Sequence, residues 1–204
     1  MYRSAWKNQL MTSVILVSFG DMARTESSMM ELGTHAPDFN LLDTITGKNY
    51  SFEKMDPAIA TVIVFICNHC PFVHHINAKL VEVAKIYQVK GVRFIAISSN
   101  NVDSHPQDAP HFMTEVAAKE GYSFPYLYDA SQEVAKAYGA ECTPDFFVFD
   151  ESLHCAYRGR FDDSRPNMGI ATGKDLSAAL DALLIGKRPS KEQYPSIGCG
   201  IKWK

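Results

Sequence analysis

A chain of 204 residues with 46% hydrophobic and 21% charged residues is long enough to bury one sizeable core, and a single domain is expected. The formal net charge of −3, with no cluster of Lys and Arg interleaved with aromatics, argues against nucleic acid as a partner. Five cysteines, an odd number, do not read as the framework of a secreted disulfide-rich protein, so the cytoplasm is the favoured compartment and export the alternative.

The first residues stand apart. Arg3 and Lys7 precede an apolar stretch, Leu10 to Phe19, with the rough shape of a short signal peptide. Thr12, Ser13 and Ser18 interrupt it, it is too short to span a bilayer, and Asp21 to Arg24 makes a poor cleavage site. Residues 1–30 are therefore read as an N-terminal extension, disordered or weakly signal-like, with Met29 and Met30 as candidate starts.

From Leu32 the pattern becomes domain-like. Ala36 to Asp43, a turn at Thr46 to Asn49, and Tyr50 to Phe52 predict a hairpin. Thr61 to Ile66 is an unbroken apolar, β-branched run, as expected for a strand buried on both faces. Val73, Ile76, Leu80, Val83, Ala84 and Tyr87 then recur at helical spacing, ahead of Gly91. Val92 to Ser98 predicts a second buried strand, and Ser99 to Pro106 a polar loop. Helices are expected over Ala109 to Glu120 and Gln132 to Tyr138, each closed by a glycine, with a short strand at Tyr126 to Tyr128 between them. An aromatic strand ending at Asp150 pairs with Leu153 to Arg158; a Gly/Pro-rich loop over 159–173 precedes an amphipathic helix, Lys174 to Ile185. The tail, residues 187–204, holds too many Pro and Gly residues for a regular element. The sum is an α/β fold, a central mixed sheet flanked by helices over residues 31–186.

The chemistry gathers at Cys67-Asn68-His69-Cys70-Pro71, where the central strand gives way to a helix. Pro71 suits a first helical turn, because its missing N–H has no helical partner there. Unpaired amides and the positive end of the macrodipole at a helix start favour a thiolate, which makes Cys67 the expected nucleophile and Cys70, read as one turn inside, the resolving thiol. Two blander readings compete. Structural zinc needs a second close Cys/His pair, whereas Cys142, Cys155 and Cys199 are scattered singly. A purely structural bridge over so short a loop would constrain little of the unfolded chain.

Ala36-Pro-Asp-Phe39, Val64-Phe-Ile-Cys-Asn-His-Cys-Pro71 and Thr143-Pro144-Asp-Phe-Phe-Val-Phe-Asp150 together resemble the thioredoxin-like superfamily. The nearest branch is the redoxins, among the alkyl hydroperoxide reductase/thiol-specific antioxidant and TlpA-like proteins. The match covers residues 31–186, and Ala109 to Tyr128 corresponds to the helix-strand insertion of that branch. A narrower likeness is to uncharacterised bacterial redoxins with a CNHCP centre and a tail like Ser196-Ile-Gly-Cys-Gly-Ile-Lys-Trp203. The resemblance implies a thioredoxin-like fold, no cofactor beyond a redox-active disulfide, and a cis Thr143–Pro144 bond beside the cysteines, where the backbone of Thr143 would pair with a substrate peptide.

The chain also departs from thioredoxin. Ile66 stands where thioredoxin has tryptophan, and Asn68-His69 replaces Gly-Pro; a protonated His69 beside the thiolate would stabilise the reduced form. Val62 to Ile66 supplies no buried acid beneath Cys70, which leaves Glu141, His74 and His75 as candidate substitutes or as plain surface side chains.

Thiol–disulfide exchange is thus the leading function, with protein or small-molecule thiols and disulfides as partners and the oligomeric state open. Peroxide reduction is the runner-up, although the signature P-x-x-x-T-x-x-C is missing, with Val64 and Ala60 at the required positions. A copper- or metal-handling module is a further alternative, since His69, His74, His75 and His154 supply imidazoles. Flanking glycines make Cys199 a candidate third thiol carried by a flexible tail, or an idle cysteine; Cys142 adjoins the proline loop, and Cys155 is expected in the core.

Overall fold

The computed structural model describes residues 24–204, so the apolar stretch Leu10 to Phe19 lies outside the described residues. The described residues open with a short strand β1 (Arg24–Glu26) and a hairpin of β2 (Asn40–Asp43) and β3 (Lys48–Ser51). Next come β4 (Ala60–Phe65), α1 (Pro71–Gln88), β5 (Val92–Ser98), a 3-10 turn at Pro106–Asp108 and α2 (Pro110–Glu120). Strand β6 (Tyr126–Tyr128), α3 (Glu133–Tyr138), a two-residue β7 (Cys142–Thr143) and β8 (Asp145–Asp150) follow. The chain finishes with β9 (Cys155–Gly159), α4 (Lys174–Leu184) and β10 (Ile197–Gly200). The elements expected from Leu32 to Ile185 are all present, with ends shifted by a few residues.

Seven strands form one mixed sheet in the order β3-β2-β6-β5-β4-β8-β9. The β4–β5 and β5–β6 pairs are parallel, while β8 runs antiparallel to β4. All six residues of β4 are buried, which is why its sequence shows no polar alternation. Ala60, Val62 and Val64 join the core beneath α1, α2 and α4; Ile63 and Phe65 face the opposite core, with Phe39, Phe52 and Tyr138. Each such side chain removed from water stabilises the fold by about 1.5–3 kcal/mol. Two packed layers fix where β4 ends, and therefore where its following cysteines stand.

The tail differs from expectation. Residues 197–200 form β10, the middle strand of a second, three-stranded sheet ordered β1-β10-β7. Cys199 sits opposite Thr143 on one side and opposite Arg24 on the other. Residues 24–26, read as part of an extension, form its outer strand. Gly198 makes the approach feasible, because a Cβ there would overlap the carbonyl oxygen of Thr143. Beyond β10, the Lys202 carbonyl accepts from the Asn101 N–H at 2.8 Å and from Gln132 Nε2 at 2.8 Å, so the last residues are docked against the loop after β5.

Replacing Gly198 by alanine is expected to prise β10 from β7. Chemical denaturation under reducing conditions should show a loss of about 1–3 kcal/mol, together with faster alkylation of Cys199 in the native protein. Unchanged stability with Cys199 still protected would contradict the pairing.

Candidate active site

β4, an interior strand between β5 and β8, delivers Cys67 and Cys70 just beyond its C-terminal end. Pro71 occupies the first turn of α1, as its chemistry predicts. Cys70 is not one turn inside that helix; it is the N-cap, with extended backbone angles. Both cysteines are buried, Cys67 at 2% exposure and Cys70 at 0%, and all five cysteines are free thiols.

The Thr143–Pro144 peptide bond is cis and lies against both sulfurs. Cys67 Sγ is 3.5 Å from Thr143 Oγ1, and Cys70 Sγ is 3.1 Å from the Thr143 carbonyl oxygen. The third sulfur belongs to Cys199, 2.9 Å from that of Cys70. Its carrier is a paired strand rather than a flexible tail. The edge of β7 that a substrate peptide was expected to use is thereby taken by the chain's own β10.

This geometry also revises which sulfur the helix start serves. Its Val73 N–H acts on Cys70 and its Phe72 N–H on Cys199, each favouring a thiolate but each smaller than the other influences on its sulfur. Burial pushes the Cys70 thiol up, but hydrogen bonds from Cys199, Cys67 and Thr143 outweigh it and hold Cys70 well below the ordinary thiol range. The neutral Cys70 S–H donates to the Thr143 carbonyl or to Cys199 Sγ; the lowering belongs to its thiolate, for which the neighbouring thiols and the Thr143 hydroxyl are the donors. Cys67 moves the opposite way. Its hydrogen bond to Cys70 raises it most, followed by burial and the negative charge of Asp108, with Thr143 partly offsetting them. Cys199 is raised by its hydrogen bond to Cys70 and then by burial.

Asp108, unnoticed in the sequence, organises the turn between the two cysteines. It is fully buried, accepts from the Asn68 N–H at 2.9 Å and from Asn100 Nδ2 at 2.8 Å, and lies 2.7 Å from His69 Nδ1. Burial raises its carboxyl, but His69, Asn100 and the Asn68 amide outweigh that and hold it below the usual carboxylate range. The same His69 nitrogen is 3.8 Å from Cys67 Sγ, so the imidazole binds the carboxylate far more closely than the sulfur. Asn68 is locked by Gln107 and Tyr126 at 2.9 and 3.1 Å. His105 stacks on His69 with ring centroids 5.1 Å apart. Cys67, His69 and Asp108 bring donor atoms within 4.8 Å of one another, the one metal-capable cluster among the described residues. A cation there would have to displace the His69–Asp108 bond.

The other candidates lie apart. Among the described residues, no hydrogen bond links the carboxylate of Glu141 to these sulfurs; its backbone carbonyl accepts from Ile201. His74 Nε2 contacts the Asn68 carbonyl at 2.6 Å and His75 Nε2 contacts Ser164 Oγ at 2.8 Å, which makes both bracing groups for nearby loops. Cys142 and Cys155 are buried, and burial raises both thiols. A second buried acid was also missed. Asp145, following the cis proline and opposite Phe65 of β4, has neither carboxylate oxygen hydrogen-bonded among the described residues. Nearby Ser196 spends its hydroxyl proton on the Gly159 carbonyl at 2.6 Å. Burial pushes the Asp145 carboxyl up to about 8.

The AhpC/TSA family model matches residues 32–158. The chain belongs to the AhpC/TSA family. Like other redoxins, members of this family are thiol-dependent oxidoreductases or peroxidases. An uncharacterized conserved protein from Geobacillus kaustophilus is 55% identical, with 90% of this chain and 97% of that chain covered and a TM-score of 0.87. A hypothetical protein from Sinorhizobium meliloti is 45% identical over 88% of this chain and 98% of that chain, at a TM-score of 0.86. A secreted disulfide oxidoreductase of Mycobacterium tuberculosis, 17% identical, shares the fold over 71% of this chain and 95% of that chain, at a TM-score of 0.55. Among curated proteins none matches the chain. These relatives establish a thioredoxin-like redoxin, and among the described residues no helix is long and apolar enough to cross a membrane.

Two substitutions test the electrostatics of this family member. Asp108→Asn removes a charge that, after the hydrogen bond to Cys70 and burial, helps to raise Cys67, so the apparent pKa of Cys67 should fall and its alkylation near neutral pH should quicken roughly three- to tenfold; slower alkylation would contradict the assigned role. For Asp145 the sign follows from linkage. Between the unfolded pKa, about 3.9, and the folded value of about 8, the native state holds a proton that the unfolded state has lost, so this group makes stability fall as pH rises. The stability of Asp145→Asn relative to wild type should therefore climb between pH 5 and 8, by at most about 1.4 kcal/mol per pH unit. A pH-independent difference from urea unfolding would place an ionised carboxylate there instead.

Proposed function

We propose that the protein is a thiol–disulfide oxidoreductase whose exchanging pair is Cys67 and Cys70. The observation that carries this reading is their position together at the end of the central strand, both sulfurs in contact with Thr143 ahead of cis Pro144. Cys67 is the sulfur that meets substrate, because it adjoins the partly exposed His69 while Cys70 is covered completely.

In the reducing direction, Cys67 attacks one sulfur of a substrate disulfide as its proton passes to the Cys70 thiolate. A Cys67–substrate bond forms, the substrate S–S bond breaks, and the departing thiolate takes up that proton. Cys70, again a thiolate, then attacks Cys67, closes the Cys67–Cys70 bond and expels the second substrate thiolate. The substrate gains two electrons and the protein loses two. The reverse sequence oxidises a dithiol, and the relative potentials decide the direction. Asn68 and His69, pinned by Gln107 and Asp108, keep the turn from shifting as the bonds exchange.

Because β10 occupies the β7 edge, compact disulfides are better suited to this site than extended peptides, which could not add as a strand there. Family membership keeps hydroperoxides as the second substrate class. Stopped-flow mixing of reduced protein with oxidised glutathione and, separately, with hydrogen peroxide distinguishes the two. The expected result is disulfide reduction at least about tenfold faster than by free cysteine, a rate set by a positioned thiol, and peroxide consumption no faster than by free cysteine. Cys67→Ser should abolish the first reaction. Fast peroxide consumption with slow disulfide exchange would reverse the assignment.

A further inference from the structure

Cys199 lies at the site, yet the two-cysteine cycle leaves it without a task. Its sulfur is 2.9 Å from Cys70 Sγ, within about 1 Å of the roughly 2 Å of a disulfide. The contact is built into the backbone. β10 is held on both edges, by β1 and by β7, and its register sets Cys199 directly across from Thr143, the residue that touches both Cys67 and Cys70. Gly198 admits the strand at a distance no side chain would allow. In the reduced centre the hydrogen bond to Cys70 is the largest influence raising the Cys199 thiol; a Cys67–Cys70 bond leaves no Cys70 thiolate to hold that proton, while the Phe72 N–H in the first turn of α1 still acts in favour of a Cys199 thiolate.

We propose that Cys199 is a third redox thiol and that the oxidised protein settles with a disulfide between Cys70 and Cys199, leaving Cys67 free. This rests on the reading of Cys67 and Cys70 as an exchanging pair and extends it by one step. After substrate has been reduced, the Cys199 thiolate attacks the Cys70 sulfur of the Cys67–Cys70 bond. The Cys70–Cys199 bond forms, the Cys67–Cys70 bond breaks, and Cys67 leaves as a thiolate that takes up the proton Cys199 gave away. The step is an isomerisation within the chain. No electron enters or leaves, and the only oxidising equivalent is the one the substrate disulfide supplied.

Two consequences follow from where the bond lies. Cys67 returns to its place beside Thr143 Oγ1 and His69 while the protein is still oxidised, so substrate can engage it again before the chain is reduced. The bond also joins the helix start to β10, fastening the strand that fills the β7 edge. Oxidation therefore secures the C-terminal strand in place.

Trypsin makes the linkage legible, because Cys67 and Cys70 share the peptide spanning residues 55–79 whereas Cys199 lies in 192–202. Full-length protein equilibrated with oxidised glutathione, blocked with iodoacetamide and digested without reduction should yield these two peptides joined. The same crosslink should appear in Cys67→Ser, and in Cys199→Ser the bond should fall back within 55–79. A wild-type bond confined to 55–79, or a crosslink that vanishes in Cys67→Ser, overturns the proposal and leaves the two-cysteine reading standing. Absence of any bond among the three cysteines in wild-type protein removes both. In the wild-type crosslinked pair the iodoacetamide label should sit on Cys67, whereas a label on Cys70 would mean a Cys67–Cys199 bond and overturn the proposal, so a variant that fails to fold does not blunt the test.

Discussion

Three backbone segments end at one point, and the contact between Cys70 and Thr143 is where they lock together. The central strand brings Cys67 and Cys70 to the start of α1, the turn into β8 presents Thr143 and Pro144, and β10 lays Cys199 across Thr143. None of these positions is adjustable alone. The strand is buried on both faces, the helix start is capped by Cys70 itself, and β10 is hydrogen-bonded on both edges. A sulfur trio assembled this way loses its spacing if any one segment shifts, which is why sites of this kind are built on regular elements.

Two buried acids give the centre its electrostatic character, and they behave oppositely for one reason. Asp108 has donors for both oxygens and keeps its charge, which disfavours a second negative charge on nearby Cys67. Among the described residues Asp145 has no donor in hydrogen-bonding geometry, and burial outweighs the weaker influence of Ser196 and the Glu141 and Phe146 amides, so that its carboxyl is pushed up to about 8. Burial is common to both, and the difference lies in whether well-formed hydrogen bonds, with His69 among them at Asp108, outweigh it. The outcome is a centre in which negative charge is favoured on the sheltered Cys70 and disfavoured on Cys67.

Much of this was legible in the sequence because it depends on local pattern. The apolar run of β4, the helical spacing from Val73 to Tyr87 and proline in the first turn each encode their element with little help from the rest of the chain. What escaped was structure made by partners. β10 is a Gly-rich tetrapeptide following Pro195 and has poor strand propensity; it is a strand because β1 and β7 pair with it. β7 is two residues long and carries no periodicity at all. Asp108, two residues before α2, carries the ordinary signal of a helix start, yet its carboxylate turns inward to residues forty positions earlier. Nothing in the sequence signalled that Cys67 would be pushed up, because the causes are partners in space: the hydrogen bond to Cys70, then burial, then the charge of Asp108.

The chain's five thiols, counted across a series of glutathione redox buffers, give the most direct measurement of the centre. Two thiols should disappear together in a single reversible two-electron transition and return on reduction, with Cys142 and Cys155 remaining free throughout. All five thiols free under every buffer, or a loss that reduction does not restore, would mean that these sulfurs are packed together without exchanging electrons.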